Sequence, residues 1–180
     1  FALENEVPII RKEMQSFMKV LLAVKRPMQV LEVGTAVGFS TLLMCEYGQP
    51  DMHITTIENY EKRIPIARET GDAGEILPTL LGRYDLIFMD AAKGQYIHWL
   101  PDVVRLLAPG GILLSDNVLQ EGELIESHYL VERRNRTIYK RMREYLYELK
   151  HHPQLLTSIV PLGDGISLSV KQERGNYEKN

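Results

Sequence analysis

The sequence is poor in cysteine, in tryptophan and in long apolar runs. Its 180 residues include one cysteine and one tryptophan. A single cysteine excludes a disulfide within the chain and a cysteine-based zinc site, which favours a reducing compartment, so we expect a cytoplasmic protein. No apolar run approaches the roughly 20 residues of a membrane-spanning helix, and no signal-peptide pattern is present. The net charge of −3 means that any affinity for nucleic acid depends on a local patch.

The length and composition are those of one globular domain. Hydrophobic residues make up 44% of the 180 residues, which is enough to bury a core. We therefore predict a single domain over residues 1–180. The chain begins at Phe1 in a segment of helical character, so we expect that its amino-terminal helices are truncated.

Residues 29–47 form the stretch around which the rest is organised. The apolar run 29–33 predicts a buried strand, Gly34 and Gly38 bracket a turn, and residues 39–47 have helical spacing. A glycine turn at a strand end lets a ligand approach the backbone. The spacing is not G-x-G-x-x-G, and Glu32 disfavours a pyrophosphate but suits a positively charged cofactor such as S-adenosylmethionine. The alternative is a tight strand-to-helix turn in some other α/β protein.

Helices and strands alternate along the remainder of the chain. Helical patterns cover 9–25, 61–69, 73–81, 96–107 and 123–150, and strand patterns cover 53–57, 84–89, 111–115, 157–160 and 166–170. The short Gly163-Asp164-Gly165 link requires the last two strands to be antiparallel. These patterns predict an α/β fold whose mainly parallel sheet has one antiparallel strand and flanking helices. No apolar strand precedes Thr70, so we expect that a strand has been lost near 67–70.

Two acidic residues lie where an adenosine would bind in such a fold. Glu58 ends the second strand, where a carboxylate can accept hydrogen bonds from both ribose hydroxyls. Gly71, Asp72 and Ala73 lead into the next helix, where an acid can receive the adenine amino group and the following amide faces the ring. A solvated loop acid is the alternative for Glu58.

Asp90, Asp116 and Asn117 follow two separate strands. Strand ends in a parallel sheet converge on one crevice, and two carboxylates with an amide oxygen suit magnesium, calcium or manganese. Each residue alone could equally be a loop acid or a helix cap. Lys93 would serve as a general base if a nearby cation and partial burial lowered its pKa, and is otherwise a solvated lysine.

Several segments resemble the cation-dependent O-methyltransferases, the family of catechol and caffeoyl-CoA O-methyltransferases. They are Leu31-Glu-Val-Gly-Thr-Ala-Val-Gly-Phe-Ser40, Thr56-Ile-Glu58, Gly71-Asp-Ala73, Phe88-Met-Asp-Ala-Ala-Lys-Gly-Gln-Tyr96 and Leu114-Ser-Asp-Asn117. The motifs occur in order over nearly the whole chain. The run 90–96, the run 116–119 and the Val-Pro-Leu-Gly-Asp-Gly of 160–165 resemble the branch that methylates 5-hydroxyuridine in bacterial tRNA.

The resemblance implies a Rossmann-like class I methyltransferase fold and assigns roles to individual residues. It places Asp90, Asp116 and Asn117 on magnesium, gives Asp90 and Lys93 catalytic positions, and adds Gly34 and Gly71 to the cofactor site. By the same resemblance, S-adenosylmethionine would contact the following residues: Ile10, Ser40, Glu58, Asp72, Ala73 and Asp90.

A basic segment with interspersed tyrosines occupies residues 133–147. Its cations could hold tRNA phosphates, and a tyrosine could stack on a loop base. The alternative is a solvated helix face paired with neighbouring glutamates. The candidate RNA-binding residues are Arg133, Arg134, Arg136, Lys140 and Arg141.

We therefore expect a magnesium- and S-adenosylmethionine-dependent O-methyltransferase that converts 5-hydroxyuridine to 5-methoxyuridine in the anticodon loop of tRNA. By analogy with the family we expect a homodimer, and we expect no membrane partner. A small-molecule O-methyltransferase acting on catechol-type phenols is the first alternative. A non-catalytic RNA-binding module on a methyltransferase scaffold is the second.

Overall fold

The structure is a computed structural model that describes residues 10–58, 69–119 and 136–173. Arg133, Arg134 and the first part of the helix predicted over 123–150 lie outside the described residues. The helix predicted over 61–69 also lies outside them, except for Glu69, which is the first residue of a strand. No helix among the described residues is long and apolar enough to cross a membrane.

The described residues form one sheet of seven strands. The strands are β1 Gln29–Val33, β2 His53–Glu58, β3 Glu69–Thr70, β4 Tyr84–Met89, β5 Leu107–Ser115, β6 Leu155–Val160 and β7 Ile166–Lys171. Their order in the sheet is β3-β2-β1-β4-β5-β7-β6. Strand β7 pairs antiparallel with both of its neighbours, and the other pairs are parallel. The predicted fold, a mainly parallel sheet with one antiparallel strand, is therefore confirmed.

Helices cover both faces of the sheet because its central strands are apolar on both sides. The described helices are α1 Lys12–Lys25, α2 Phe39–Tyr47, α3 Ala73–Ile76, α4 Tyr96–Leu106 and α5 Arg136–His151, with 3₁₀ turns at Leu77–Thr79 and Lys93–Gln95. Along β4, Leu86 and Phe88 pack on one face with helix α1, whereas Ile87 and Met89 pack on the other with α4 and α5.

Two elements differ most clearly from their predicted form. The helix predicted over 73–81 ends as an α-helix at Ile76 and continues as a 3₁₀ turn, because Pro78 lacks the N–H that an α-helical hydrogen bond needs. Strand β5 begins at Leu107 and not at 111. The pairing of β4 with β5 shifts register between Tyr84 and Leu86, so the Pro-Gly-Gly segment forms an irregularity within the strand.

The structure provides a third strand where the sequence offered no apolar run. Strand β3 has two residues and pairs in parallel with the end of β2, where Ile57 faces Glu69 and Glu58 faces Thr70. A strand of two residues at the sheet edge is too short to show an apolar pattern, so the sequence did not indicate it. That residues have been lost near 67–70 stays a prediction.

Candidate functional site

A cavity of about 720 Å³ opens at the carboxyl ends of β1, β2, β4 and β5. Backbone hydrogen bonds hold the segments that follow these strands together: the amide of Gly34 donates to Ile57, that of Asp90 to Val33, and that of Asp116 to Met89, at 2.9–3.0 Å. The predicted site residues that line the cavity are Ile10, Gly34, Glu58, Gly71, Asp72, Ala73, Asp90, Asp116 and Asn117.

The glycine turn after β1 has the geometry that only glycine tolerates at its first position. Gly34 has φ of 97°, and a Cβ built there would lie 2.1 Å from the backbone oxygen of Asp90. Two residues later Ala36 also has positive φ, and its N–H donates a 2.6 Å hydrogen bond to the carboxylate of Glu58. The turn therefore brings the end of β2 and the end of β4 to the same part of the cavity.

Glu32 and Ser40, both predicted to contact the cofactor, are not among the described residues that line the cavity. Glu32 is fully buried, and its carboxylate accepts hydrogen bonds from the hydroxyls of Ser40 and Thr41. Burial raises the pKa of Glu32 to about 7, against the opposing effect of these two hydroxyl donors. In this structure the two residues join β1 to the first turn of α2, so their position gives them a supporting role beneath the glycine turn.

One end of the cavity holds the two acids predicted to bind adenosine, Glu58 and Asp72. Asp72 caps helix α3, its carboxylate accepting a 2.7 Å hydrogen bond from the amide of Gly74. The amide of Gly71 donates to the backbone oxygen of Glu58 at 3.1 Å, which places the two predicted adenosine-binding acids side by side. The indole of Trp99, from α4, lies beside Gly74 and completes this end.

At the other end of the cavity, oxygen atoms lie around the ammonium group of Lys93, which is not itself among the described residues that line the cavity. The Nζ atom lies 2.8 Å from Oδ1 of Asp90, 3.2 Å from the backbone oxygen of Asp116 and 3.2 Å from Oδ1 of Asn117. It also donates to the hydroxyl of Tyr96 at 3.1 Å. Three predicted site residues from two strand ends thus meet at the positive charge of a fourth, Lys93, which begins a 3₁₀ turn.

The pKa of Lys93 is shifted in the direction opposite to the one that the base role predicted from the sequence requires. Burial favours the neutral amine, but the Tyr96 hydroxyl and the Asp90 carboxylate outweigh it and raise the pKa of Lys93 above its ordinary value. A lysine that acts as a general base needs a lowered pKa, so that the neutral amine is present. In this arrangement the lysine is an ammonium ion paired with Asp90, and its acting as a base stays a prediction.

The oxygens around this ammonium also suit a metal ion. Asp116 is 4% exposed, and burial, with the charge of Asp90 added, raises its pKa to about 6. Carboxylate and amide oxygens are the ligands that magnesium prefers, and here the carboxylate of Asp90 and the amide oxygen of Asn117 already contact a cation, together with the backbone oxygen of Asp116. In the described ranges there is no group of three His, Cys, Asp or Glu residues able to hold a metal, so the candidate set is two carboxylates and one amide.

Three side chains at this end were not among the predicted site residues. Tyr96 is fully buried and its hydroxyl, held by the backbone of Met89 and Ala91, faces Lys93. Asp164, in the turn between β6 and β7, accepts a 3.1 Å hydrogen bond from Asn117 and forms a 2.8 Å ion pair with Arg11. The 160–165 run was singled out for its resemblance and for its short turn, but no local pattern indicates that this turn meets residue 117.

The described part of the basic segment divides between two sides of α5. Arg136 and Lys140 are exposed, and Lys140 lies 3.8 Å from Glu144. Arg141 is partly buried and donates to the backbone oxygen of Gly94, next to Lys93. One predicted RNA-binding cation is therefore beside the candidate site, whereas the other two face solvent.

Comparison with known proteins finds one family over most of the chain. The profile of a family described as O-methyltransferase matches residues 4–172. A catechol O-methyltransferase from Niastella koreensis is 28% identical, with 62% of this chain covered, and the chain spans 59% of that relative's length.

Solved structures share the fold. The crystal structure of a caffeoyl-CoA O-methyltransferase candidate from Staphylococcus aureus has 30% identity and a TM-score of 0.86, covering 95% of this chain and 88% of that one. An O-methyltransferase from Bacillus cereus in complex with S-adenosylhomocysteine has 22% identity and a TM-score of 0.82, covering 94% and 86% of the two chains. At that lower identity the likeness concerns the fold alone.

Proposed function

Since the chain belongs to the O-methyltransferase family, we propose that it transfers a methyl group from S-adenosylmethionine to an oxygen of its substrate, with the help of magnesium. The observation that supports this most directly is the division of one cavity into two chemically different ends. Glu58 and Asp72 lie at the first end, and Asp90, Asp116 and Asn117 surround the Lys93 ammonium at the second.

The first end suits the adenosine part of the cofactor. The Glu58 carboxylate accepts from the amide of Ala36, and a carboxylate, with about four lone-pair sites, can also accept hydrogen bonds from a ribose diol. Beside it, Asp72 and Ala73 begin α3, and the Trp99 ring offers an apolar surface to a base. The S-adenosylhomocysteine of the Bacillus cereus relative is that protein's ligand, and the shared fold agrees with a similar ligand here.

The second end suits two adjacent oxygens of an acceptor. A magnesium ion held by Asp90, Asp116 and Asn117 would supply a Lewis acid that favours the deprotonated acceptor oxygen. The chain itself aligns the acceptor, because the ligating residues follow β4 and β5, and backbone hydrogen bonds join the ends of these strands to the end of β1, which carries the glycine turn. Lys93 is close enough to hold or receive a proton there.

We propose 5-hydroxyuridine of the tRNA anticodon loop as the acceptor, since its 5-hydroxyl and 4-carbonyl form such an oxygen pair. The cations of α5 support this choice: Arg141 lies beside the site, and Arg136 and Lys140 extend along the exposed side of the helix. Arginine and lysine that neutralise phosphates add affinity for RNA. A homodimer in the cytoplasm stays part of the proposal.

A catechol-type phenol offers the same oxygen pair and is the competing acceptor, which the similarity to a catechol O-methyltransferase favours. A catechol carries no phosphate groups, so its binding would not involve the α5 cations. A non-catalytic RNA-binding module would need neither the cation ligands nor the adenosine-binding end, so the conjunction of the two in one cavity speaks against it.

The test is methyl transfer from labelled S-adenosylmethionine to tRNA bearing 5-hydroxyuridine or to free catechol, each with magnesium and with chelator. We expect magnesium-dependent labelling of the tRNA, abolished in Asp116→Asn and retained in Asp51→Asn, whose exposed carboxylate is outside the cavity. Labelling of catechol alone would leave the reaction intact and refute the tRNA acceptor. Labelling of neither, with tRNA still bound, would favour the binding module.

A further inference from the structure

Asp164 links the turn between β6 and β7 to the residues that follow β5. Its Oδ2 atom accepts a 3.1 Å hydrogen bond from Nδ2 of Asn117 and lies 2.8 Å from Nη2 of Arg11. The Asp164 side chain is 13% exposed, whereas that of Arg11 is 51% exposed. The carboxylate is thus largely enclosed between a candidate cation ligand and an arginine at the start of α1.

The hydrogen bond from Asn117 determines which end of its amide faces the candidate cation site. An asparagine amide has an oxygen that can bind a cation and an NH₂ group that cannot. An ionised carboxylate only accepts hydrogen bonds, so Asp164 selects the NH₂ end and turns Oδ1 away from itself. That oxygen lies 3.2 Å from Nζ of Lys93, on the same ammonium that contacts Asp90.

The backbone fixes the distance between the two residues. The amides of Val118 and Leu119 donate to the backbone oxygens of Gly165 and Asp164 at 2.9 and 2.8 Å. Gly165 has φ of 78°, and a Cβ there would lie 2.2 Å from Cγ of Leu119, so the two segments are in close contact. Asn117 itself has φ of 55°, a left-handed conformation that asparagine tolerates better than most residues.

We propose that Asp164 is a positioning residue: with Arg11, it orients the Asn117 amide so that its oxygen, and not its NH₂ group, faces the divalent cation. This inference rests on the proposed function, since it assumes that Asn117 ligates the cation. Partners that orient metal ligands commonly contribute about 10- to 100-fold to metal affinity, and a loss in that range is the effect expected here.

The experiment measures Mn²⁺ binding to the full chain by electron paramagnetic resonance of the free ion, for Asp164→Ala and Asp164→Asn. Asp102→Ala is the matched control, because Asp102 also pairs with an arginine, Arg105, at 3.0 Å, but lies outside the cavity. Thermal unfolding and S-adenosylhomocysteine binding in chelator establish that each variant is folded.

We expect Asp164→Ala to weaken Mn²⁺ binding by about 10-fold or more, and Asp164→Asn to weaken it less. Both variants lose one negative charge, but only the asparagine keeps an oxygen that can accept from Nδ2 of Asn117. Equal losses in the two variants would mean that charge alone matters and would overturn the positioning role, as would a loss no larger than that of Asp102→Ala. If the unaltered chain binds no Mn²⁺ while binding S-adenosylhomocysteine, the proposed cation site itself is wrong.

Discussion

The carboxylate of Glu58 accepts a 2.6 Å hydrogen bond from the backbone amide of Ala36. Glu58 ends β2 and Ala36 lies in the glycine turn after β1, so this contact joins the two strand ends at which the proposed cofactor would bind. Glu58 is 6% exposed. Its carboxylate is therefore held in place before any ligand arrives, which reduces the entropy lost on binding.

Glu58→Gln is expected to weaken S-adenosylhomocysteine binding by about 10-fold or more, since a hydrogen bond to a charged group contributes about 1.5–3 kcal/mol. The amide oxygen can still accept from Ala36, but the NH₂ group cannot accept from a ribose hydroxyl. Calorimetric titration measures the change. Glu75→Gln is the control because Glu75 is exposed and outside the cavity lining, and equal affinity in the two variants would contradict the ribose-binding role.

Lys93→Met is expected to change metal binding and catalysis in opposite directions. Removing the ammonium frees Asp90 and Asn117 from a competing positive charge, so Mn²⁺ should bind more tightly, on the order of tenfold. Methyl transfer should nevertheless fall by about 10²- to 10⁴-fold if Lys93 handles the proton. Lys19→Met, in α1 and outside the cavity lining, is the control, and a methyl-transfer rate unchanged by Lys93→Met would show that Lys93 handles no proton.

Gly34→Ala is expected to destabilise the fold and block the cavity. The left-handed φ of 97° costs a non-glycine residue about 1–2 kcal/mol, and the contact of its Cβ with the Asp90 backbone adds about 1–3 kcal/mol. Gly82→Ala separates the two effects, because Gly82 has φ of 122° with no atom within 4 Å of the added Cβ. Urea unfolding should show a clearly larger loss for Gly34→Ala, and similar losses would remove the steric argument.

The buried Glu32 predicts a specific dependence of stability on pH. Its pKa is raised from 4.5 to about 7 in the fold, so between these values the folded chain retains a proton that the unfolded chain releases. The free energy of unfolding therefore falls as pH rises through this window, by up to about 3 kcal/mol, and the cost persists above pH 7. Burial of the ionisable carboxyl causes this shift, so the pH dependence of the free energy of unfolding should disappear when residue 32 cannot ionise.

Glu32→Gln tests this directly. The amide can still form hydrogen bonds with the hydroxyls of Ser40 and Thr41 without carrying a charge. At pH 8 the variant should therefore have a larger free energy of unfolding than the unaltered chain, and near pH 4 it should have no such advantage. Urea unfolding across this pH range, with exposed Glu46→Gln for comparison, measures the difference. A gain of the same size at both pH values would mean that ionisation of Glu32 is not its cause.

Local sequence determined the elements that local interactions form. The β1 strand, the Gly34 turn and helix α2 agree with their predicted ranges within two residues, because apolar spacing and glycine act over a few neighbouring positions. The order of strands and helices also indicated which residues would stand at strand ends, and most of these line the cavity. The sequence could not show that β3 has two residues, since an edge strand of that length leaves no pattern.

Tertiary structure decided which partners each of these side chains contacts and how deeply it is buried. Glu32 was predicted to bind the cofactor from its place beside Gly34; the folded chain buries its carboxylate against Ser40 and Thr41, and cofactor contact stays a prediction. Lys93 became an ammonium surrounded by oxygens because Asp90, Asp116 and Asn117 meet only when two strands lie side by side. Asp164 contacts Asn117 across 47 positions of chain, and its role depends on that contact. Hydrophobic periodicity and turn residues determine structure over a few neighbouring positions. The burial of a side chain, its pKa and the orientation of a side-chain amide depend instead on partners that only the folded chain brings together.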